Sequence, residues 1–156
     1  MVGRLMVTQG EWGHQLLAAA EKILGRPAGV DEISLDWDED PTRSSQRLRA
    51  AIASADQGDG VLVMTDLFGG TPARIAMSQL TPDRVEVLAG LNLPMIVRLG
   101  CSGTETMTLS DLARWLQGKV VESVRLGSDC IQKSSCGQGA AANFTVNDRE
   151  GLCTDD

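Results

Sequence analysis

Two short stretches of the sequence place polar side chains where an apolar strand is expected to end. Thr8-Gln9-Gly10 follows the apolar run that opens the chain, and Thr65-Asp66 follows the continuously apolar Val61 to Met64. In an open parallel sheet the carboxyl ends of the strands lie at one edge, and binding sites form there. The sequence therefore predicts that Gln9 and Asp66 meet at the same edge of a sheet.

A helix start follows Asp66 almost at once. Thr71 has the side chain of an N-cap, Pro72 has the fixed φ that suits the first helical turn, and Gly69-Gly70 allows a sharp turn before them. Free N–H groups at a helix N-terminus favour an anion. A carboxylate and an anion-binding turn are therefore expected side by side. The simpler alternative is that Asp66 is only a turn or capping residue.

Strands and helices alternate along the chain, which predicts a three-layer α/β/α sandwich around an open, mainly parallel sheet. The apolar pattern indicates strands at 2–8, 30–35, 61–64 and 85–89, and helices at 11–24, 42–55, 72–80 and 109–116. Residues 120–126 alternate like a final strand. The acidic loop 36–40 is expected to be solvated. Its Trp37 is expected to pack against the domain, with contact to a partner as the alternative.

The chain has 156 residues and a net charge of −7 at pH 7. That length suits one domain, and the charge argues against nucleic acid or an anionic membrane as a partner, because either requires a basic patch. A basic protein partner fits better. No apolar run approaches the roughly 20 residues of a membrane span, and no leader segment is evident. We therefore expect a cytoplasmic protein without direct membrane insertion.

The four cysteines lack the spacing of a zinc site, so no metal or other cofactor is expected. For a cytoplasmic chain reduced thiols are predicted. Neither a Walker motif nor a strand-linked G-x-G-x-x-G is present, which argues against nucleotide binding. The cysteines are Cys101, Cys130, Cys136 and Cys153.

Two motifs stand out, Asp66-Leu67-Phe68-Gly69-Gly70-Thr71-Pro72 and Gly90-Leu91-Asn92-Leu93-Pro94-Met95. Taken alone, the second predicts a glycine turn with Asn92 capping a short helix. Together the two motifs resemble enzyme IIA of the mannose-type (mannose/fructose/sorbose) phosphoenolpyruvate-dependent sugar phosphotransferase system, a bacterial family. The resemblance covers residues 1–126 and leaves 127–156 as a mostly irregular polar tail, in which Asn143 to Val146 has an extended pattern. It implies an open parallel sheet with a last antiparallel strand, here Val120 to Leu126, that is often exchanged across a homodimer.

In the resembled family the first strand ends in Thr-His-Gly, and that histidine receives a phosphoryl group from the phosphocarrier HPr and passes it to enzyme IIB. Gln9 takes the place of the histidine here. The resemblance implies that Asp66 orients the residue at this position, and that Gly69, Gly70 and Thr71 receive the phosphoryl oxygens. With Gln9 in place, its NH2 group is expected to hydrogen-bond Asp66.

A side-chain amide nitrogen is delocalised into its carbonyl and is a very poor nucleophile, so Gln9 is not expected to carry phosphate. The chain is then either an enzyme IIA phosphocarrier made inactive by Gln9, or a non-catalytic regulatory or protein-binding homologue. His14 borders the apolar face of the first helix and is expected to be structural. Phosphorylation of Asp66 itself requires a magnesium site, and Thr8-Gln9 supplies no carboxylate for one.

Overall fold

The computed structural model describes residues 1–101 and 103–128 of the chain. Four strands in this part form one sheet, in chain order β1 (Gly3–Gln9), β2 (Asp31–Leu35), β3 (Val61–Thr65) and β4 (Val85–Ala89). Across the sheet the order is β2-β1-β3-β4, and all three pairings are parallel. β1 and β3 are therefore the two central strands.

Five helices, all within the described residues, cover the two faces of this sheet. They are α1 (Trp12–Leu24), α2 (Pro41–Ala55), α3 (Thr71–Met77), α4 (Leu93–Gly100) and α5 (Leu109–Ser123). Leu48 of α2 and Ala76 of α3 belong to the apolar cluster on one face. Ala20, Met95 and Leu112, from α1, α4 and α5, belong to the cluster on the other face. The predicted three-layer sandwich around an open parallel sheet is confirmed.

The handedness of the crossovers explains which helix lies on which face. The chain moves from β1 outward to β2, and then back across β1 to β3 and on to β4. Parallel crossover connections are almost always right-handed. Since the direction of travel reverses after β2, α1 lies on one face and α2 and α3 lie on the other. The reversal point falls between β1 and β3.

Strand β3 is buried on both faces, as its unbroken apolar sequence predicts. Val61 and Val63 belong to the cluster under α2 and α3, whereas Leu62 and Met64 belong to the opposite cluster. All four side chains are 0% exposed. Burial of an apolar side chain of this size contributes roughly 1.5–3 kcal/mol. The strand and the loop that follows it are therefore held firmly in place.

The prediction of a last strand at residues 120–126 is wrong. α5 continues to Ser123, so the first part of that segment is helical. Leu112 and Leu116 are buried, and Val120 packs against the same cluster one helical turn later. This spacing of four continues the helical period, whereas the alternation of residues 120–126 predicts a strand. Within the described residues the sheet has four strands.

The helix caps match the sequence patterns in part. Asn92 caps α4 by accepting the N–H of Met95 at 3.0 Å, as predicted. Thr71, by contrast, is the first residue of α3 rather than its N-cap. Gly70 occupies the cap position and contributes no side-chain hydrogen bond. The free N–H groups of the first turn of α3 are thus left without a capping side chain.

Two further expectations concern the thiol of Cys101 and the C-terminal tail. Cys101 is disulfide-bonded, so the expectation of a reduced thiol is wrong for this residue. That expectation rested on the assumed compartment and not on geometry. The extended pattern of Asn143 to Val146 lies outside the described residues, as does most of the predicted tail 127–156.

Two glycine substitutions should change stability in opposite directions. A Cβ on Gly3 would overlap the carbonyl oxygen of Ala55, so Gly3→Ala should destabilise the protein by about 2–3 kcal/mol. Gly118 lies exposed within α5 and a Cβ there meets nothing within 4 Å. Gly118→Ala should therefore stabilise it by roughly 0.5–1 kcal/mol, because alanine is the better helix former. Urea unfolding of both variants measures the difference, and equal effects would contradict this packing.

Candidate functional site

Gln9 and Asp66 lie side by side at the carboxyl edge of the sheet. Gln9 is the last residue of β1, and Asp66 follows the last residue of β3. These two strands pair directly, with Val7 opposite Thr65. Because the chain reverses direction between them, this is the position where open α/β sheets form binding crevices. The predicted placement of the two residues at one edge is confirmed.

The carboxylate of Asp66 accepts two backbone N–H groups. Gln9 donates its backbone N–H to Oδ2 at 3.1 Å, and Leu67 donates to Oδ1 at 2.7 Å. Hydrogen bonds to an ionised group are stronger than those between neutral groups. Asp66 therefore ties the end of β1 to the loop that follows β3.

The side chain of Gln9 points away from Asp66, toward the end of β2. Its Nε2 donates to the carbonyl oxygens of Leu35 at 3.1 Å and Asp36 at 2.8 Å. The expected bond from the Gln9 NH2 group to Asp66 is therefore wrong. The two protons of the amide group match two carbonyl oxygens at the end of β2, and Asp66 is occupied by backbone donors instead.

Gly69 and Gly70 lead the chain from Asp66 into α3. Gly69 has a φ of +86°, which residues with a Cβ rarely adopt. The N–H of Gly70 donates to the carbonyl of Leu67 at 2.9 Å, and a Cβ on Gly70 would lie only 3.0 Å from that oxygen. Thr71 lies exposed at the end of this turn. The turn brings the start of α3 beside Asp66, and the role of Gly69, Gly70 and Thr71 in binding phosphate stays a prediction.

The second sequence motif packs against the first. The N–H of Gly90 lies 2.9 Å from the carbonyl oxygens of both Thr65 and Asp66, and the N–H of Leu91 lies 2.9 Å from that of Thr65. The residues that follow β4 therefore lie against the end of β3, just before Asn92 caps α4. Local sequence patterns predicted a glycine turn and the Asn92 cap here, and the contact with Asp66 could not be read from them.

The acidic loop 36–40 also reaches the site, which the sequence did not reveal. Asp36 accepts the amide of Gln9, and the indole of Trp37 lies against Gly10, where a Cβ would approach Nε1 to 3.0 Å. Trp37 is 79% exposed. The expectation that it packs against the domain is therefore wrong, because it touches the site loop with part of one face and leaves the rest free.

Glu39 and Asp40 hold this loop to the start of α2. Arg47 donates to both carboxylate oxygens of Glu39 at 2.9 and 2.8 Å. The backbone N–H groups of Thr42 and Arg43 donate to Asp40 Oδ1 at 2.9 and 3.2 Å. The Arg47 hydrogen bond lowers the pKa of Glu39, and the Arg43 and Thr42 N–H groups lower the pKa of Asp40. The Asp40-Pro41 step is typical of such a cap and could have predicted it.

Other candidate groups lie elsewhere. His14 is exposed on α1 and is not among the hydrogen-bond partners of Gln9 or Asp66. Among residues 1–101 and 103–128, no three side chains of metal-binding type are grouped closely enough to hold an ion. No helix in the same part of the chain is long and apolar enough to cross a membrane.

A cleft of about 450 Å³ lies at the opposite edge of the sheet. Gly58 and Asp83, which precede β3 and β4, line it together with Glu105 and the start of α5. The amino ends of the strands face this cleft, whereas Gln9 and Asp66 follow the carboxyl ends. The cleft is therefore separate from the candidate site.

Comparison with known proteins decides the family. The family model described as PTS system fructose IIA component, EIIA-man, matches residues 3–116. The chain belongs to this family. The matched residues include β1, β3 and both motifs at the site.

Individual relatives agree with the assignment to EIIA-man. The chain is 30% identical over 138 residues to the PTS system mannose-specific EIIAB component of Escherichia coli, in an alignment that covers 86% of this chain and 42% of that protein. It is 25% identical over 134 residues to the PTS system fructose-specific EIIA component of Bacillus subtilis, covering 85% and 91% of the two chains. The chain thus spans less than half of the mannose-specific relative and nearly all of the fructose-specific one.

A solved structure shows the same fold. The crystal structure of phosphotransferase system component EIIA from Streptococcus agalactiae superposes with a TM-score of 0.72 at 26% identity. The superposition covers 83% of this chain and 100% of that chain. The three-layer architecture described above is therefore that of an EIIA component.

Removal of the Asp66 carboxylate should release the end of β1. In Asp66→Ala the N–H groups of Gln9 and Leu67 lose their acceptor, so their hydrogen exchange should accelerate by roughly tenfold or more. Asp66→Asn keeps one oxygen and should give an intermediate rate. Amide exchange followed by NMR measures both, and unchanged rates in Asp66→Ala would show that the carboxylate does not hold the two loops.

The cap of α2 should make stability depend on pH. Folding lowers the pKa of Asp40, so the ionised carboxylate stabilises the protein at pH values above its ordinary pKa of 3.8. This stabilisation is lost as the pH falls through the lowered pKa of the folded protein. Asp40→Asn keeps a capping oxygen but does not titrate. The melting temperature of the parent should exceed that of the variant above pH 5, and the gap should close below pH 3.8. Asp38→Asn, at a carboxylate that caps no helix, is the control and should follow the parent at every pH.

Proposed function

We propose that this chain is an EIIA component whose site is built for phosphoryl transfer from HPr to enzyme IIB, but that Gln9 leaves it unable to carry phosphate. The observation that supports this most directly is the Gln9 side chain itself. Its nitrogen is an amide that donates to Leu35 and Asp36 and has no lone pair available for attack. Asp66 lies beside it, at the same edge of the sheet.

The proposed roles of the other site residues follow from their positions. Asp66 would orient a residue at position 9, since its carboxylate already lies 3.1 Å from the backbone nitrogen there. Gly69, Gly70 and Thr71 would receive the phosphoryl oxygens at the uncapped start of α3. These roles require a nucleophile at position 9, because the exposed turn at 69–71 presents no nucleophilic nitrogen of its own.

A second function has its own support. The amide of Gln9 joins the end of β1 to the end of β2 and to the loop 36–40 through two hydrogen bonds that do not depend on phosphate. This favours a regulatory or protein-binding homologue that keeps the EIIA surface without the transfer reaction. HPr and enzyme IIB are the proposed protein partners under either function.

The proposal extends to where the protein acts, where its domain ends and how it associates. We place it in the bacterial cytoplasm, with residues 1–126 as the EIIA domain and 127–156 as a polar tail. β4 is the last strand in the sheet order, so its outer edge has no strand partner among the described residues. Its five residues are only half-buried. An unpaired edge of this kind favours association with another chain, which supports a homodimer.

Restoration of the histidine should restore phosphorylation if the site is otherwise intact. Incubation with phosphoenolpyruvate, enzyme I and HPr should add one phosphate to Gln9→His and none to the parent chain, as read by intact-mass spectrometry. Gln9→Asn is the matched control, because it shares the poor nucleophile and should stay unmodified. Phosphate on the parent would overturn the proposal, and none on Gln9→His would favour the protein-binding homologue.

A further inference from the structure

Cys101 ends α4 and is joined to another cysteine. It occupies the C-cap position of the helix, is 7% exposed and is disulfide-bonded. Among residues 1–101 and 103–128 it is the one cysteine, so its partner belongs to the rest of the chain. The candidate partners are Cys130, Cys136 and Cys153.

Each of these pairings encloses helix α5. α5 covers Leu109–Ser123, and all three candidate partners follow it in the sequence. Leu112 and Leu116 anchor the helix, because they are buried in the same apolar cluster as Met95 of α4. A cross-link restricts the unfolded chain strongly, whereas this part of the folded chain is already ordered. The disulfide of Cys101 therefore fastens α5 to the end of α4 with any of the three partners.

Two guanidinium groups lie at the end of α4, beside Cys101. Nη1 of Arg4 donates to the carbonyl oxygen of Leu99 at 2.8 Å. Nη2 of Arg26 donates to the next carbonyl oxygen, that of Gly100. Positive charges next to a cysteine stabilise its thiolate, which is the reactive form.

Negative charges near Cys101 act in the opposite direction, but they are smaller in sum. The carboxyl end of a helix carries about half a negative charge. Glu105 adds one carboxylate; backbone N–H groups are the main cause of its lowered pKa, and the charges of Arg4 and Arg26 add to it. Two full positive charges exceed these, so the surroundings favour the thiolate. A stabilised thiolate favours the reduced state and leaves readily, which makes a disulfide easier to reduce.

We propose that Cys101 is a reversible redox site, whose disulfide with a cysteine of residues 129–156 in the same chain fastens α5 and whose reduction releases it. The inference goes beyond the proposed function and rests on it only for the cytoplasmic location, where disulfides are usually transient and redox-sensing. The site lies at the end of the sheet where β1 begins, because Arg4 is in the first turn of that strand's path. Gln9 ends the same strand at the other edge.

Formation of the bond requires an oxidant, for which a low-molecular-weight disulfide such as oxidised glutathione suffices. Because Cys101 is nearly buried, the thiolate of its partner attacks first and releases one glutathione thiolate. The Cys101 thiolate then attacks the protein sulfur of this mixed disulfide and releases the second. Two protein thiols thereby lose two electrons, and one glutathione disulfide becomes two thiols.

Equilibration of the full chain in glutathione buffers tests reversibility. Free thiols are blocked with an alkylating reagent, and the blocked fraction of Cys101 is read on its peptide by mass spectrometry. This fraction should rise from about one-tenth to about nine-tenths as oxidised glutathione is replaced by reduced glutathione. A bond that persists in excess reduced glutathione would make it a permanent cross-link, and a thiol that stays free in oxidised glutathione would remove the site.

Peptide mapping without reduction tests the partner. The Cys101 peptide should be joined to a peptide from residues 129–156, and electrophoresis without reductant should show a single chain. A bond between two chains would contradict the enclosure of α5.

The hold on α5 has its own measurement. Reduction should accelerate hydrogen exchange in Leu109–Ser123 about tenfold and lower the melting temperature by roughly 5 °C. Cys101→Ser should show the faster exchange with and without reductant. The amides of α2, which no Cys101 disulfide encloses, should change less. Equal exchange in α5 of the oxidised and reduced parent would show that the bond does not fasten the helix.

A matched pair of arginine variants tests the role of the charges. Arg26→Gln removes a guanidinium next to Cys101 and should slow disulfide formation by oxidised glutathione about fivefold. Arg49→Gln is the control, because Arg49 belongs to α2 and donates to Gln79, away from α4. Equal rates in the two variants would remove the guanidinium groups from the proposal.

These readouts are independent of the phosphocarrier. None of them uses phosphate, and Cys101→Ser leaves Gln9 and Asp66 unchanged. If Gln9→His stays unmodified while Cys101 exchanges reversibly, the redox site stands and the phosphocarrier site does not. If Cys101 forms no reversible disulfide, the redox site is wrong even where Gln9→His accepts phosphate.

Discussion

The position of β3 between two apolar layers is the constraint on which the site depends. Its four apolar residues contact opposite clusters in alternation, so the strand cannot shift by one residue without turning each of them to the wrong layer. Asp66 follows directly and reaches a backbone N–H of β1 at 3.1 Å. A shift of one residue moves the chain by about 3.3 Å, which is enough to break this bond. The packing of β3 in the core therefore fixes the position of Asp66 relative to β1.

Gln9 makes two separate sets of hydrogen bonds, one through its backbone and one through its side chain. Its backbone N–H keeps the bond to Asp66, which any residue other than proline could make. Its side-chain amide donates instead to the backbone carbonyl oxygens of Leu35 and Asp36. A neutral imidazole has a single N–H donor and could not serve both oxygens at once. A residue at position 9 therefore cannot both act as a nucleophile and donate to the two carbonyl oxygens of Leu35 and Asp36.

The fold was readable from sequence because its main signals are local and periodic. The apolar run of β3, the Gly-Gly-Thr-Pro step and the cap at Asn92 each specify their own element. Val120 shows the limit, since the alternation of residues 120–126 predicts a strand while the spacing from Leu112 and Leu116 continues a helix. The meeting of Gln9 and Asp66 followed from parallel-sheet geometry. The direction of the Gln9 side chain did not, because it depends on carbonyl oxygens of β2 that are distant in sequence, and the same holds for the exposure of Trp37.

The two hydrogen bonds from the Gln9 amide bear on how readily this lineage can change. In the genetic code the codons for glutamine and histidine share their first two bases, so a single third-base change exchanges the two residues. Mutation alone therefore offers no barrier between a chain with a phosphate acceptor and one without. Whatever resists the change must act on the protein, and the hold of the amide on Leu35 and Asp36 is the contact that such a mutation removes. The order of the loop 36–40 is therefore what a change from glutamine to histidine would put at risk.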